Sequence, residues 1–149
     1  LKAKDWRVRR YVEQALGKIG PKAVPALTEA LKDKDEDVRV NAVEALGKIG
    51  EKAVPALIEA LKDKGSGVRM SAANALGKIG PKAGKAVPAL IQTLKDKDKS
   101  VRRYAAIVLG LIGKGARAAI PALEALKASD RNMRSQAEKA IQSIKSSIK

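Results

Sequence analysis

Cysteine, histidine and phenylalanine are absent from this 149-residue chain, and its aromatic side chains are limited to Trp6, Tyr11 and Tyr104. Without cysteine, a disulfide, a thiolate nucleophile and a cysteine zinc site are excluded. Without histidine, the commonest general base and metal ligand is missing. No apolar run approaches the ~20 residues of a membrane-spanning helix. We therefore expect no catalytic residues, no metal, no other cofactor and no membrane span.

Positive charge is in large excess. Lys and Arg number 31 against 16 Asp and Glu, a formal net charge of +15. Such a balance indicates either an anionic partner or a device for solubility. We expect a monomeric, cytoplasmic protein, although a targeting segment that preceded Leu1 would not be seen.

The six residues ALGKIG occur three times, at 15–20, 45–50 and 75–80. A Val-Arg pair precedes each copy and recurs at positions 101–102, and a Met-Arg pair stands at 133–134. A second motif, AVPAL or AIPAL, lies at 23–27, 53–57, 86–90 and 119–123. Self-similarity at a nearly constant period indicates a repeat architecture. Near-identical copies are typical of recent duplication or of a consensus or engineered array.

The repeats predict one array over residues 1–149. Its parts are the tail of a preceding helix, four repeats and a C-terminal cap, at 1–4, 5–34, 35–64, 65–97, 98–129 and 130–149. Because LKAK at the start matches LKDK at the end of each of the first three repeats, we expect a further hairpin upstream.

Each repeat is predicted to be a pair of helices. An aspartate begins the first helix as its N-cap, at Asp5, Asp35, Asp98 and Asp130. A glycine ends that helix in a left-handed conformation, at Gly20, Gly50, Gly80 and Gly113. A proline lies in the first turn of the second helix, at Pro25, Pro55, Pro88 and Pro121. One such hairpin cannot bury its apolar stripe alone, so we predict an all-α solenoid of stacked helical hairpins.

The pattern Asp-x-x-Val-Arg-x-x-Ala-x-x-Ala-Leu-Gly resembles the short HEAT-like repeats, a type also seen in phycobilin lyase-like proteins. The resemblance covers essentially the whole chain and implies that the variable positions of the first helix line a concave side. It also implies a lyase-like activity as a remote alternative, although no residue identifies one. HEAT-like enzymes that bind di-iron use His-Glu pairs, which this chain lacks.

Two irregularities distinguish the copies. The link between the two helices is longer in the third and fourth repeats, and the fourth second helix, PALEALK, is one residue shorter than PALTEALK. Gly65 stands where the other repeats have aspartate, which predicts an interruption of the charged contacts there.

Arginine recurs in every repeat, at Arg9, Arg39, Arg69, Arg102 and Arg134. The nearest carboxylates are the N-cap aspartates and those ending the preceding second helix, such as Asp33, Asp63 and Asp96. We predict a ladder of Arg–carboxylate pairs between adjacent turns. A row of phosphate-binding arginines is the alternative.

Residues that differ between repeats fall on one face of the first helix, away from the apolar stripe. We predict that they form a continuous exposed strip that binds a partner, since Trp, Tyr and Arg dominate binding hot spots. Trp6 has a second interpretation, in which it covers the end of the array, and the tyrosines could be incidentally exposed. The strip residues are Trp6, Arg7, Arg10, Tyr11 and Gln14; Val40, Asn41 and Glu44; Met70, Ser71 and Asn74; and Arg103, Tyr104 and Ile107.

The mixed content of this strip favours a non-catalytic scaffold that binds a protein, and the net positive charge favours an acidic partner. Nucleic-acid binding is the alternative, because basic and aromatic side chains together can hold phosphates and stack bases. Acidic residues in the second repeat, including Glu44, interrupt a positive path in mid-array and count against it.

Overall fold

The computed structural model describes residues 19–148, and within that range every regular element is helical. The α-helices are α1 Val24–Ala30, α2 Glu36–Ile49, α3 Val54–Ala60, α4 Ser66–Ile79, α5 Val87–Thr93, α6 Lys99–Ile112, α7 Ile120–Ser129 and α8 Arg134–Ser146. Short 3-10 segments precede α1, α3, α5 and α7, at Gly20–Ala23, Glu51–Ala53, Gly80–Ala86 and Gly113–Ala119. We call α2, α4 and α6 the first helices, and α1, α3, α5 and α7 the second helices.

Several helices begin and end at the residues that the sequence indicates, whereas the end of α7 and the start of α8 do not. The Asp35 carboxylate accepts a hydrogen bond from the Asp37 N–H at 3.0 Å, and Asp98 caps α6 in the same way. The three first helices end at Gly50, Gly80 and Gly113, with φ of 85°, 67° and 69°. A side chain is strained in that conformation, which is why glycine stands there. Proline occupies the second position of each second helix, where its missing N–H costs little.

The fourth second helix differs from the expectation, because α7 has 10 residues where α1, α3 and α5 have 7. In the earlier repeats an aspartate terminates the helix. Its carboxylate accepts the backbone N–H two residues on, as Asp63 does from Gly65 at 2.7 Å. The sequence LKAS at 126–129 has no such aspartate, so α7 continues to Ser129.

Asp130 is not the N-cap of α8, which begins only at Arg134. The Asp130 carboxylate instead accepts the Asn132 N–H at 3.0 Å in the turn before that helix.

Gly65 does not interrupt the charged contacts of its repeat, because Arg69 still pairs with Asp96. It leaves α4 without a side-chain N-cap. The Glu36 carboxylate of the preceding repeat lies against Gly65 and Gly67 instead. A negative charge there is favourable, because the N-terminus of a helix carries partial positive charge.

The core is continuous along the array. Valine, alanine and leucine at equivalent positions of the first helices are buried, as in Val38, Ala42 and Leu46 of α2. Leucines from the second helices, such as Leu57 and Leu90, complete each layer. In α8 the buried residues include Ala140 and Ile144, while most of its other side chains are exposed. The all-α solenoid prediction is confirmed.

The first helices pack much more closely on one another than the second helices do. Small residues make this possible. A Cβ added to Gly47 of α2 would lie 2.9 Å from the Ala75 Cβ of α4, and one added to Gly110 of α6 would lie 3.2 Å from the Ala140 Cα of α8. The second helices make few direct contacts with each other. The layer of first helices is therefore more closely spaced than the layer of second helices.

The segment 99–129 is long and apolar enough to resemble a membrane-spanning helix by length and composition. It is not one helix in the structure, because Gly113 and the 3-10 segment after it separate α6 from α7.

Candidate interaction surface

Equivalent positions of the three first helices form one face, which we call the first-helix face. It comprises Val40, Asn41, Glu44 and Lys48 of α2; Met70, Ser71, Asn74 and Lys78 of α4; and Arg103, Tyr104, Ile107 and Leu111 of α6. Their spacing along each helix places them on the same side, and the direct packing of α2 on α4 and of α4 on α6 brings the three sets together. Trp6, Arg7, Arg10, Tyr11 and Gln14 lie outside the described residues.

Exposure along the predicted strip is uneven. Glu44, Asn74 and Arg103 are exposed, whereas Val40, Met70, Ser71, Tyr104 and Ile107 are half-buried. Val40 and Tyr104 also pack against the core.

The prediction that the whole strip is exposed is wrong at Asn41, which is only 8% exposed. Its Nδ2 has no hydrogen-bond partner within residues 19–148. Helical periodicity places Asn41 on the side of α2 away from the apolar stripe. The close side-by-side packing of first helices nevertheless covers its side chain.

A polar groove of 320 Å³ runs between α2 and α4 on this face. Glu44 and Lys48 form one wall, Ser71, Asn74 and Lys78 the other, and Gly47 and Ala75 lie between them. The groove thus combines one carboxylate, two ammonium groups, an amide and a hydroxyl. Within the described range, no group of three or more acidic side chains is arranged to hold a metal ion.

An apolar patch lies beside that groove, on α6. Tyr104, Ile107 and Leu111 follow one another at three- and four-residue intervals and so share one side of the helix. Leu111 is 53% exposed, and it stands where α2 and α4 carry Lys48 and Lys78. Sequence reasoning overlooked Leu111 because the strip was defined by residues that differ between repeats, and the same position is lysine in the two preceding repeats. The replacement of lysine by leucine in one repeat was the available signal.

The predicted arginine ladder exists, but its pairing differs from the expected one. Arg39 donates Nε and Nη2 to the two carboxylate oxygens of Asp63 at 2.9 and 3.1 Å. Arg69 makes the same two-bond contact with Asp96 at 2.7 and 2.9 Å. Each arginine thus pairs with the aspartate that ends the second helix of its own repeat. It reaches the preceding repeat only through backbone carbonyls, such as Asp33 O at 2.8 Å from Arg39 Nη1.

These ion pairs are buried at the first two positions. Side-chain exposure is 3% and 12% for Arg39 and Asp63, and 7% and 11% for Arg69 and Asp96. Partial burial alone would raise the pKa of Asp96, but the hydrogen bonds from Arg69 and from the Asp98 N–H outweigh it and hold that pKa below its ordinary value. The bond to Asp63 likewise outweighs burial and raises the pKa of Arg39. Arg39 and Arg69 are buried and bonded to aspartates, so their role is structural and they do not form a row of phosphate-binding arginines.

Comparison with known proteins bears on both fold and surface. The sequence profile of HEAT repeats matches residues 1–65 and 67–142. No curated protein matches significantly.

Solved structures of the same architecture include enzymes and a designed repeat protein. One is the complex of CpcE and CpcF of phycocyanin lyase from Nostoc sp. PCC7120, with 24% identity and a TM-score of 0.71, covering 88% of this chain and 87% of that one. Human deoxyhypusine hydroxylase is 32% identical with a TM-score of 0.69, over 82% of this chain and 43% of the hydroxylase. A designed armadillo repeat protein in complex with the peptide (KR)4 is 18% identical with a TM-score of 0.65, over 95% and 77%. These similarities span enzymes and designed binders alike.

Proposed function

This chain belongs to the HEAT-repeat family, and from that premise we propose that it is a non-catalytic scaffold that binds a protein partner through its first-helix face. The observation that carries the proposal is the apolar patch of α6 beside a polar groove, in which the exposed Leu111 adjoins the half-buried Tyr104 and Ile107. Protein-binding surfaces combine apolar anchors with surrounding polar groups in this way.

The spacing of the helices supports a concave shape for this face. In a curved array the inner layer is shorter than the outer one, so its helices lie closer together. The first helices are the closely packed layer, with Gly47 and Gly110 at the contacts. A concave surface lets one partner contact several repeats at once.

Charge on the face argues for a protein rather than a nucleic acid. Lys48, Lys78 and Arg103 would attract phosphates, but Glu44 lines the same groove as the first two of them, one helical turn before Lys48. A nucleic-acid backbone following the groove would pass this carboxylate, whereas a protein can place a cation or an N–H against it. Two of the similar structures are complexes with a peptide or protein partner: the designed armadillo repeat protein with a peptide, and CpcE with CpcF.

The decisive experiment uses Leu111→Lys, which gives α6 the residue that α2 and α4 carry in this column. Its control is Ile148→Lys, which adds the same charge at another exposed apolar residue, beyond α8. The probes are a peptide selected from a random-peptide display library on the wild-type protein and a single-stranded oligonucleotide, each followed by fluorescence anisotropy.

Protein binding at this face predicts opposite responses from the two probes. The peptide should bind Leu111→Lys roughly 10- to 100-fold more weakly, because burying a leucine contributes about 1.5–3 kcal/mol, and it should bind Ile148→Lys as it binds the wild type. The oligonucleotide should bind both variants at least as tightly as the wild type, since each adds a positive charge. Peptide binding that is unchanged or stronger in Leu111→Lys would refute the proposed surface.

A further inference from the structure

The second-helix layer contains a groove that the proposed function does not use. It has a volume of 340 Å³ and lies between α5 and α7. Ile91 of α5 and Leu94, the residue after that helix, form one apolar wall, and Ala122, Ala125 and Leu126 of α7 form the other. Lys95, Asp96, Arg102, Ser129 and Asp130 provide its polar groups. Small-molecule sites have this mostly apolar lining with a few polar groups, at volumes from about 300 Å³ upward.

Two sequence changes accompany this groove in the fourth repeat. Four residues after the proline, the earlier second helices carry Glu29, Glu59 and Gln92, whereas α7 carries the much smaller Ala125. Eight residues after the proline, the earlier repeats carry the aspartates that pair with arginine, Asp63 and Asp96, whereas the fourth repeat carries Ser129. Asp130, the next residue, takes over the pairing.

That substitution leaves Arg102 with a weaker contact than its counterparts. Its Nη2 donates to Asp130 at 3.0 Å, and its Nη1 donates to the Asp96 and Lys97 carbonyls. Its Nε, which in Arg39 and Arg69 donates to an aspartate, has no acceptor within residues 19–148. The Arg102 and Asp130 side chains are correspondingly more exposed, at 20% and 21%.

The acceptors around the groove are already engaged. Both Asp96 oxygens take hydrogen bonds from Arg69, and one also takes the Asp98 N–H. The Asp130 oxygens accept from Arg102 and from the Asn132 N–H. The groups with donors to spare are Arg102, the exposed Lys95 and the Ser129 hydroxyl, and the first two are cationic. A complementary ligand therefore supplies an acceptor, preferably an anionic one, together with apolar surface.

We propose that the groove between α5 and α7 binds a small carboxylic acid with an apolar tail. The carboxylate accepts the Nε–H of Arg102 and lies near the Lys95 ammonium group. The tail contacts Ile91, Leu94 and Leu126. The Asp96 and Asp130 carboxylates of the groove are already paired with Arg69 and Arg102, so a cationic ligand would compete with those arginines and also face Lys95. A purely apolar ligand would leave the Arg102 Nε donor without a partner.

Octanoate and octanol are suitable probes, because they share a tail and differ in the anionic group. Each is titrated into the ¹⁵N-labelled wild-type protein while backbone amide chemical shifts are followed. We expect octanoate to bind with a Kd on the order of 1 mM, with the shifts concentrated at residues 91–96, 102 and 122–130. Octanol should bind at least tenfold more weakly.

Three variants assign the binding to this groove. Arg102→Lys keeps the charge but removes the Nε donor, and should weaken octanoate about tenfold, equivalent to about 1.4 kcal/mol. Ala125→Gln introduces the side chain of the third repeat and should block binding. Ala128→Gln adds the same bulk on the same helix at an exposed residue that does not line the groove, and should bind octanoate normally.

Several results would overturn the proposal. Octanoate could bind with the same Kd as octanol, or its chemical-shift changes could map to the first-helix face. Ala125→Gln and Ala128→Gln could weaken octanoate binding equally. Octanoate could also fail to bind at a concentration about ten times the expected Kd. None of these results depends on whether the first-helix face binds a protein, so the two proposals fail separately.

Discussion

Replacing Arg39 by alanine tests how much the ladder contributes to stability. The substitution removes two bonds to Asp63, at 2.9 and 3.1 Å, and two bonds to the Asp33 and Lys34 carbonyls, at 2.8 and 3.2 Å. It leaves the Asp63 carboxylate, which is only 12% exposed, with the Gly65 N–H as its remaining described donor. Removing one partner of a buried pair costs far more than the intact pair contributes, because a desolvated charge remains.

The expected loss is about 3–5 kcal/mol of unfolding free energy, the range found for broken buried ion pairs. For a chain of this size that corresponds to a fall in Tm of roughly 6–20 °C. Arg102→Ala removes a single, more exposed contact to Asp130. Its cost should be nearer to about 1–2 kcal/mol, since partly exposed pairs contribute little.

Urea unfolding followed by circular dichroism measures both variants beside the wild type and Arg69→Ala. Arg39→Ala and Arg69→Ala should lose similar amounts of unfolding free energy, and Arg102→Ala should lose less. The double variant Arg39→Ala/Asp63→Ala should lose less than the sum of its single variants, because no unpaired charge remains. Equal losses at all three arginines, or an Arg39→Ala variant as stable as wild type, would refute the argument from burial.

Two further predictions concern helix spacing and acid stability. Gly110→Ala should lower the unfolding free energy by about 1–3 kcal/mol, as overpacking does, because the added Cβ would lie 3.2 Å from the Ala140 Cα. Gly84→Ala is the control, since an added Cβ there meets no atom within 4 Å and should not destabilise the protein. Equal changes in Tm for the two variants would contradict this prediction. The Asp96 pKa lies below its ordinary 3.8, so the folded state binds this proton less readily than the unfolded state, and the stability that Asp96 contributes is present above that value and lost as pH falls through the folded pKa. Tm measured from neutral to strongly acidic pH should fall less for Asp96→Asn than for the wild type. Identical pH profiles would show that Asp96 does not contribute to acid denaturation.

Local chemistry explains why much of the fold was predictable. Asp35, Gly50 and Pro55 act through the backbone within a few residues of themselves, so their roles can be inferred from short patterns. The length of α7 was misjudged although its cause is also local. Terminating a helix depends on an aspartate side chain accepting an N–H two residues on, and the absence of that aspartate in LKAS was not recognised as a signal to continue.

The candidate surface was harder to predict because it depends on neighbours. Helical periodicity places Asn41 and Glu44 on one face, yet Asn41 is buried and Glu44 is exposed. Periodicity describes a single helix in isolation, whereas burial depends on where the adjacent first helix packs. Leu111 was overlooked for a related reason, since its column is lysine in the neighbouring repeats.

The sequence by itself determined the all-α solenoid, the aspartate N-caps of α2 and α6, the glycines at which the first helices end, and the existence of an arginine ladder. Each of these follows from the spacing of residue types that act on nearby backbone or recur in every repeat. Only the tertiary structure decided that Arg39 and Arg69 pair within their own repeats, that Asn41 is covered, and that a groove separates α5 from α7. These features depend on distances between residues 24 or more positions apart, and such distances are set by how whole helices pack rather than by any local pattern.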